Sequence, residues 1–331
     1  MLAGACLKLG IVAALEALPA RPGLLVLTYH RVGDASGCCY DRGVFSASAS
    51  EFDNQLTHLK RVFHMATLEE VLWLAAHPEK FRRPELLITF DDGYRDCYDT
   101  AFPVLKSHGV QATFFLVSSF VGTDHLPWWD TIAYIVRNTR QSTISLRRPY
   151  PVSFTIDGSA DAVLVNVLRL YKSPATTDPE LFIADLSEAC EVDAPAGAAE
   201  RVFLDWNQSR EMLAGGMAFG SHTHSHRLLG KLPPKEQMDE LATSRAILCR
   251  ELGTKPQSVA FPVGSRDAFT AETMAAAREA GYQVAFSHYG GFNHSGRFNT
   301  HDVRRISVRP YDSRARFRMR TALLPRFGIE L

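Results

Sequence analysis

Two adjacent carboxylates follow an apolar run in the stretch LLITFDDGYRD, residues 86–96. The run predicts a buried strand, so that Asp91 and Asp92 stand at its carboxyl end, just before a glycine turn. Adjacent carboxylates repel each other, and burial raises the free-energy cost of ionising both. A nearby cation is the simplest way to offset their charge. The alternative is an Asx turn, in which Asp92 serves only the turn geometry.

A second polar cluster, GSHTHSHRLLG at residues 220–230, holds three histidines. His222 and His226 are four residues apart, so one helical turn, or a turn leaving a strand, places both rings on the same side. Two imidazoles and one carboxylate make a three-ligand site with an open position, which is typical of catalytic Zn²⁺. His224 is expected to point away from such a metal. A solvent-exposed histidine-rich turn is the alternative for the whole stretch.

Taken together, the two clusters suggest different roles for the two aspartates. One carboxylate can bind the metal, while the other stays free to accept a proton from water that the metal acidifies. This predicts metal-assisted hydrolysis.

Composition narrows the class of protein. A chain of 331 residues can bury one large core, either as a barrel-sized domain or as a domain with a substantial insertion. Lys plus Arg equals Asp plus Glu, at 36 each, so no net field favours nucleic acid or an anionic membrane. The cysteines show no CxxC spacing, which favours free thiols in a reducing compartment over a disulfide framework.

Residues 1–20 are apolar and end in small residues, with a faint likeness to a signal peptide. Lys8 and Glu16 interrupt that run, which favours an amphipathic helix before the first strand. No other run approaches the roughly 18–20 apolar residues that span a bilayer. We therefore expect no transmembrane segment and a cytoplasmic protein; the oligomeric state is not predicted.

Strands with polar carboxyl ends alternate with helical patterns along the chain. This alternation predicts parallel pairing and an α/β barrel, or a broken barrel, over residues 21–320. Reactive groups of such barrels lie at the carboxyl ends of the strands. The region at about 124–203 interrupts the rhythm and is predicted to be an insertion. The seven predicted strands are 24–30, 85–92, 112–118, 216–224, 258–264, 282–288 and 302–308.

Sequence patterns typical of helix termini mark three predicted helices. Thr67 and Glu70 form a capping-box pattern, in which the two side chains satisfy backbone N–H groups at the helix start. A longer helix begins at the prolines before Lys235 and ends at Gly253, and an alanine-rich helix stops at Gly281.

Several of these motifs resemble one family. TFDDG (89–93) and HTHSH (222–226) resemble the first two motifs of the polysaccharide deacetylases, also called the NodB homology domain or carbohydrate esterase family 4. FPVGSRD (261–267) is similar to the third motif of a subgroup whose pattern is FAYPYG. LTYHRV (27–32) resembles the YHxV start of the poly-N-acetylglucosamine deacetylase subgroup. The resemblance extends over roughly 24–122 and 202–310.

The resemblance implies a distorted (β/α) barrel of about seven parallel strands that removes N-acetyl or O-acetyl groups from a polysaccharide or a glycan precursor. Asp91 would be the catalytic base. Asp92, His222 and His226 would hold a divalent metal, commonly Zn²⁺. The backbone N–H at Val263 would stabilise the oxyanion. Valine replaces the tyrosine of the motif there, so any role of a tyrosine hydroxyl is lost.

The general acid implied by the resemblance is His30, because the subgroup takes its acid from the first strand. Many family members instead supply a histidine from a late LxxH motif, of which this chain has no clear copy. His288 and His301 are looser candidates. The alternative for His30 itself is a histidine at a strand end, bonded to a neighbouring loop.

Two further roles stay open in the sequence. Ala260 occupies the position of an arginine that orients the base in the more common third motif, and Arg304, Arg305 or Arg95 are possible substitutes. Substrate contacts are predicted for Trp128, Trp129 and Arg304, although core packing explains a tryptophan equally well. Two other functions also stay open: hydrolysis of a non-sugar amide at the same metal site, and glycan binding without catalysis.

Overall fold

The computed structural model describes residues 10–198 and 200–330. The first nine residues of the predicted amino-terminal helix lie outside the described residues. In chain order the strands are β1 (Gly23–Tyr29), β2 (Arg31–Val32), β3 (Phe45–Ala47), β4 (His64–Met65), β5 (Pro84–Phe90), β6 (Thr113–Leu116), β7 (Thr143–Leu146), β8 (Val152–Thr155), β9 (Ala218–Ser221), β10 (Ser258–Ala260), β11 (Val284–Phe286), β12 (Asn293–His294) and β13 (Ile306–Ser307).

Eleven α-helices lie between these strands in the described part of the chain. They are α1 (Ile11–Ala17), α2 (Ala49–Val62), α3 (Leu68–Ala76), α4 (Phe102–His108), α5 (Trp128–Asn138), α6 (Ala160–Lys172), α7 (Pro179–Cys190), α8 (Trp206–Ala214), α9 (Pro234–Leu252), α10 (Ala271–Glu279) and α11 (Arg314–Phe327).

The main sheet has the order β11–β10–β9–β6–β5–β1, and β13 pairs with the free side of β1. All of these pairings are parallel. A parallel bridge between Phe286 and Val303 also joins β11 to the segment that leads into β13. Seven parallel strands within residues 10–198 and 200–330 thus form a curled, barrel-like sheet. The predicted distorted (β/α) barrel is confirmed.

The longest pairing in the sheet runs between β1 and β5. Their register extends from Gly23 opposite Pro84 to Tyr29 opposite Phe90. Every residue of β1 is buried, as are all of β5 after its first residue. Strands covered on both faces read as continuous apolar runs, and each fully buried Leu, Val or Phe contributes about 1.5–3 kcal/mol. This pairing fixes where the chain leaves β1 and β5, at His30 and Asp91.

The predicted helix signals are confirmed. Thr67 and Glu70 form both hydrogen bonds of the capping box at the start of α3. Helix α9 begins at Pro234 and ends at Gly253, which adopts the left-handed conformation. Helix α10 ends at Glu279, just before Gly281 with a φ of 90°.

Contacts divide the chain into two compact units. The barrel unit comprises Met1–Gly33, Val44–Thr123 and Val202–Leu331, and the insertion unit comprises Asp34–Gly43 and Asp124–Arg201. The insertion unit contains α5, α6, α7 and an antiparallel pair of β7 with β8. Its short first segment is tied to α5, since the Asp41 N–H donates to Asp130 Oδ1 at 2.9 Å. The predicted insertion did not include that first segment.

No helix within the described ranges is long and apolar enough to cross a membrane. The five cysteines of those ranges, Cys38, Cys39, Cys97, Cys190 and Cys249, are free thiols.

Candidate active site

The Asp91–Asp92 pair lies on a tight turn at the carboxyl end of β5. The Asp91 N–H donates to Tyr29 O at 3.0 Å, which continues the ladder between β1 and β5. The Gly93 N–H then donates to Asp91 O at 2.9 Å, and Asp92 between them has a φ of 70°. This is a γ-turn of the rare, strained kind. Gly93 is required there, because its φ is 80° and a Cβ would lie 2.7 Å from Leu116 Cδ2.

His222 and His226 lie on the loop that follows β9. The His222 N–H donates to Leu116 O at 2.8 Å, so the loop starts in register with β6. Glu240 of α9 then accepts the N–H groups of His224 and Ser225, at 3.0 and 2.8 Å. The His224 ring contacts Ser118 Oγ at 2.9 Å. Glu240 is buried, and sequence reasoning missed it because nothing in its helix distinguishes a supporting carboxylate from a surface one.

Asp92, His222 and His226 come together as one buried cluster. Each offers one ligand atom, and all three atoms lie within 4.8 Å of one another. Asp92 Oδ1 is 3.5 Å from His222 Nε2 and 3.4 Å from His226 Nε2. His222 Nδ1 contacts Ala260 O at 2.7 Å, which requires a proton on Nδ1 and leaves the Nε2 lone pair toward Asp92. Burial lowers the pKa of His222, which favours the neutral, ligating form.

The cluster fits a divalent cation. Zinc–ligand distances of about 2.0–2.1 Å place two ligand atoms of a tetrahedral site roughly 3.3–3.4 Å apart. The two Asp92-to-histidine separations are close to that length. The set of one carboxylate and two imidazoles also leaves an open coordination position, which is the catalytic pattern for Zn²⁺.

Asp91 is engaged by Arg305 rather than by the cluster. The guanidinium donates from Nη1 to Asp91 Oδ1 at 2.7 Å and from Nη2 to Oδ2 at 2.8 Å. Arg305 is fully buried, and its Nε donates to Ser287 O at 3.0 Å. Burial by itself raises the pKa of Asp91, but the charge of Arg305 and the hydrogen bonds that Arg305 donates hold that pKa well below its usual value. Asp91 is therefore ionised and fixed in orientation.

Of the three arginines that sequence left open, only Arg305 contacts the aspartate. Arg304 is exposed; its guanidinium lies 5.4 Å from the centre of the Tyr289 ring. Arg95 pairs with Asp99 on the surface. No local signal in the sequence separates Arg305 from its neighbour, because the choice depends on which of the two side chains the segment before β13 turns inward.

His30 and His288 face each other at the mouth of the barrel. Their ring centres are 6.0 Å apart. His288 Nε2 contacts Ser307 Oγ at 2.7 Å. Burial, and then the charges of Arg305 and His30, lower the pKa of His288 to about 3. His301 is not part of this group: its ring contacts Tyr282 O at 3.1 Å, before the start of β11.

Val263 lies on a second γ-turn, after β10. The Gly264 N–H donates to Pro262 O at 2.6 Å, and Val263 between them has a φ of 61°. No acceptor within residues 10–198 and 200–330 takes the Val263 N–H. A Cβ on Gly264 would lie 2.7 Å from the backbone nitrogen of His288, so this turn requires glycine.

Trp128 and Trp129 belong to the insertion unit, where both pack internally. Trp129 is buried, and the half-buried Trp128 stacks on Tyr171 with ring centres 4.3 Å apart. Lys172 Nζ lies 5.6 Å from the centre of the Trp128 ring. Substrate contact by these tryptophans, and by Arg304, stays a prediction.

Backbone strain is concentrated around the site. Five non-glycine residues of the described chain have a positive φ, and four of them are Asp92, Thr223, His226 and Val263. Such conformations cost about 1–3 kcal/mol each and persist only where surrounding structure enforces them. They are especially unfavourable for the β-branched Thr223 and Val263.

Comparisons with known proteins place these residues in a family context. A model of the family described as polysaccharide deacetylase matches residues 79–145 and 149–285. The match includes the Asp91–Asp92 pair, His222, His226 and Val263, and it leaves out His30 and Arg305.

Two curated relatives match different shares of the chain. YxkH of Bacillus subtilis is 22% identical over 265 residues, which are 79% of this chain and 63% of that protein. A poly-beta-1,6-N-acetyl-D-glucosamine N-deacetylase of Staphylococcus aureus is 31% identical over 121 residues, which are 33% of this chain and 41% of that protein. The chain thus matches less than two thirds of the length of either relative.

Two solved structures share the fold. IcaB from Ammonifex degensii has a TM-score of 0.58 and 21% identity, covering 92% of this chain and 97% of that one. The Streptococcus pyogenes deacetylase PplD in complex with acetate also has a TM-score of 0.58, at 17% identity, covering 89% of this chain and 96% of that one. At these identities the likeness concerns the fold alone.

Proposed function

The chain belongs to the polysaccharide deacetylase family, and from that premise we propose that it is a metal-dependent hydrolase removing N-acetyl groups from a glycan. The observation that carries the proposal is the buried cluster of Asp92, His222 and His226 beside an ionised Asp91 that is not one of the three. A divalent cation, with Zn²⁺ favoured by the donor set, supplies Lewis-acid chemistry when bound: it polarises a carbonyl and acidifies water.

Asp91 is the general base in this proposal. Arg305 keeps the carboxylate ionised and holds both of its oxygens, so Asp91 meets the substrate ready to accept a proton from the attacking water. Asp91 Oδ2 lies 3.8 Å from His222 Nε2, so the base is adjacent to the ligand cluster.

The Val263 N–H is the oxyanion donor in this proposal. Its turn follows β10, the strand whose Ala260 O orients His222, and no described residue accepts that N–H. A backbone donor on a fixed turn needs no reorganisation when negative charge develops on the acetyl oxygen.

His30 is the general acid that protonates the leaving amine. The neighbouring His288 is less suited to this role, since a pKa of about 3 keeps it neutral near pH 7. His288 instead lines the same mouth, with its Nε2 engaged by Ser307.

The substrate class is proposed from the relatives. The printed name of the Staphylococcus aureus relative is a deacetylase of poly-beta-1,6-N-acetyl-D-glucosamine, and this supports an N-acetylated glucosamine polymer or its precursor. An exopolysaccharide is such a polymer. A cytoplasmic location, expected from the sequence, would favour the precursor over the finished polymer.

Acetate release tests the function. Purified protein is incubated with acetylated glucosamine oligomers before chelation, after chelation and after Zn²⁺ is restored. We expect acetate that disappears with the metal and returns with it. Turnover of small cyclic amides in place of the oligomers would favour a non-sugar substrate. Glycan binding that survives chelation without any acetate would contradict an enzymatic role.

A further inference from the structure

An ion pair outside the ligand cluster joins the two segments that carry the catalytic groups. Arg31 Nε donates to Asp96 Oδ2 at 2.6 Å, and both side chains are about 15% exposed, at 15% and 16%. Arg31 is the first residue of β2 and directly follows His30. Asp96 comes four residues after Asp92, just before the π-helical turn Cys97–Ala101. The pair therefore connects the segment that begins at His30 with the segment that follows Asp91 and Asp92.

Aromatic rings hold the guanidinium of this pair in place. Arg31 lies 4.2 Å from the centre of the Phe45 ring and 4.8 Å from the centre of the Tyr94 ring. Such cation–π contacts are attractive, and they strengthen as the cation is desolvated. Arg31 is thus held by two aromatic rings as well as through its ion pair.

Two hydrogen bonds hold the backbone of His30. Its N–H donates to Ser46 Oγ at 3.0 Å, and the Cys97 thiol donates to its carbonyl oxygen at 3.3 Å. The Val32 N–H also points to Asp96, with Oδ1 at 3.4 Å. Asp96 therefore anchors the two residues after His30, while Cys97 anchors His30 itself.

We propose that the Arg31–Asp96 pair is a positioning device that sets the His30 ring against Asp91 and the metal cluster. The proposal rests on the proposed function, in which His30 is the general acid. In this proposal neither partner touches the substrate, so both are positioning residues. A displacement of about 1 Å in such a group can lower the rate by as much as 10²-fold, which is the size of effect the pair is able to prevent.

A double-mutant cycle tests this with Asp96→Asn and His30→Gln. The asparagine keeps the shape of Asp96 and loses the charge that binds Arg31. We expect Asp96→Asn alone to lower kcat roughly 10- to 100-fold with KM within about twofold. In the His30→Gln background the same change should cost less than about twofold. Equal losses in both backgrounds would overturn the proposal, because Asp96 would then act independently of His30.

Glu16→Gln is the matched control. Glu16 of α1 is another carboxylate of the barrel unit, with a side chain 6% exposed; it is bound by Arg318 at 2.9 and 2.7 Å and by Arg61, which are not the partners of Asp96. Its loss should destabilise the fold to a similar extent without changing kcat. A matching fall in kcat for Glu16→Gln would mean that Asp96→Asn acts through general destabilisation.

A spectroscopic readout separates this proposal from the function itself. Histidine side-chain NMR signals are recorded for each variant, and the His30 signal is assigned from its loss in His30→Gln. Asp96→Asn should shift or broaden the His30 signal, whereas Glu16→Gln should not. An unmoved signal overturns the positioning role. If His30→Gln keeps full activity, the acid assignment fails while the NMR comparison still decides whether the pair positions the ring.

Discussion

The carboxyl and amino ends of the barrel strands differ in the partners of their buried carboxylates and in their backbone conformation. At the carboxyl end, Asp91 and Asp92 are buried among imidazoles and an arginine, on turns with positive φ. At the amino end, Glu85 lies 3.2 Å from Arg83, beside the half-exposed His64, and no non-glycine residue of the described barrel unit has a positive φ there.

The amino end also has a cavity. A groove of about 590 Å³ lies at the amino end between α3 and the start of β5, lined by residues that include Trp73, Lys80, Arg82 and Glu69. Its charged side chains are mostly exposed, and the buried Glu85 is paired with Arg83 at 3.2 Å. The candidate active site is therefore marked by buried titratable groups that converge on strained turns. The volume of a groove alone does not identify such a site.

The difference between the ends predicts a division of effects. Substitutions at the carboxyl end should change rate and metal binding, because the strain there is retained for chemistry. Substitutions at the amino end should change at most the free energy of unfolding. A large loss of kcat from an amino-end substitution, or an unchanged kcat from a carboxyl-end substitution, would contradict this division.

Asp91→Asn should have the largest effect. The amide cannot accept the proton, so we expect kcat for acetate release to fall by about 10³-fold, within the range for loss of a general base. Metal content should persist, because Asp91 is not one of the three ligand residues. An unchanged rate in a folded, metal-loaded variant would refute the role of the base.

Arg305→Gln comes next. Removing one partner of a buried ion pair costs about 3–5 kcal/mol, since the remaining carboxylate stays buried without its counter-charge. The free energy of unfolding, measured on metal-free protein, should fall by that amount, and kcat should fall by at least about tenfold as Asp91 loses its orientation. Arg304→Gln is the stability control: this exposed neighbour should change the unfolding free energy by less than about 0.5 kcal/mol.

Thr67→Ala tests the amino end through the cap of α3. Thr67 lines the amino-end groove, and its Oγ1 accepts the Glu70 N–H at 3.1 Å. Loss of an N-cap costs about 1 kcal/mol, so the unfolding free energy should fall while kcat stays within about twofold. Thr67→Ser, which keeps the hydroxyl, should restore most of the stability. A tenfold loss of kcat would show that the two ends are coupled.

Trp73→Ala should have the smallest effect. The indole is 52% exposed and stacks on His77 at 4.9 Å between ring centres. We expect the unfolding free energy to change by less than about 1 kcal/mol and kcat to stay within about twofold. Urea denaturation and an acetate assay measure the two quantities.

Much of the barrel could be predicted from the sequence because its signals are local. Buried runs such as residues 85–92 and the capping pair of Thr67 with Glu70 lie within single elements. The clusters of the site were predictable for the same reason, as polar groups at strand ends. The structure brings Asp92, His222 and His226 within 4.8 Å of one another.

The contacts that sequence reasoning missed or left open connect distant parts of the chain. Arg305 reaches Asp91 across 214 positions, and Arg31 reaches Asp96 across 65. Segment 34–43 joins the insertion unit in the same way. Hydrophobic periodicity carries no information about such partners, because they depend on strand order and on which side chain a short strand turns inward.

Metal content measured on three purified proteins tests the central claim most directly. Wild-type protein and Asp91→Asn, each loaded with Zn²⁺ and freed of excess, should retain about one ion per chain, whereas Asp92→Ala should retain little, since three ligands are the usual protein share of a catalytic site. Retention by Asp92→Ala equal to that of wild type, or none in wild type, would contradict a cation held by Asp92, His222 and His226.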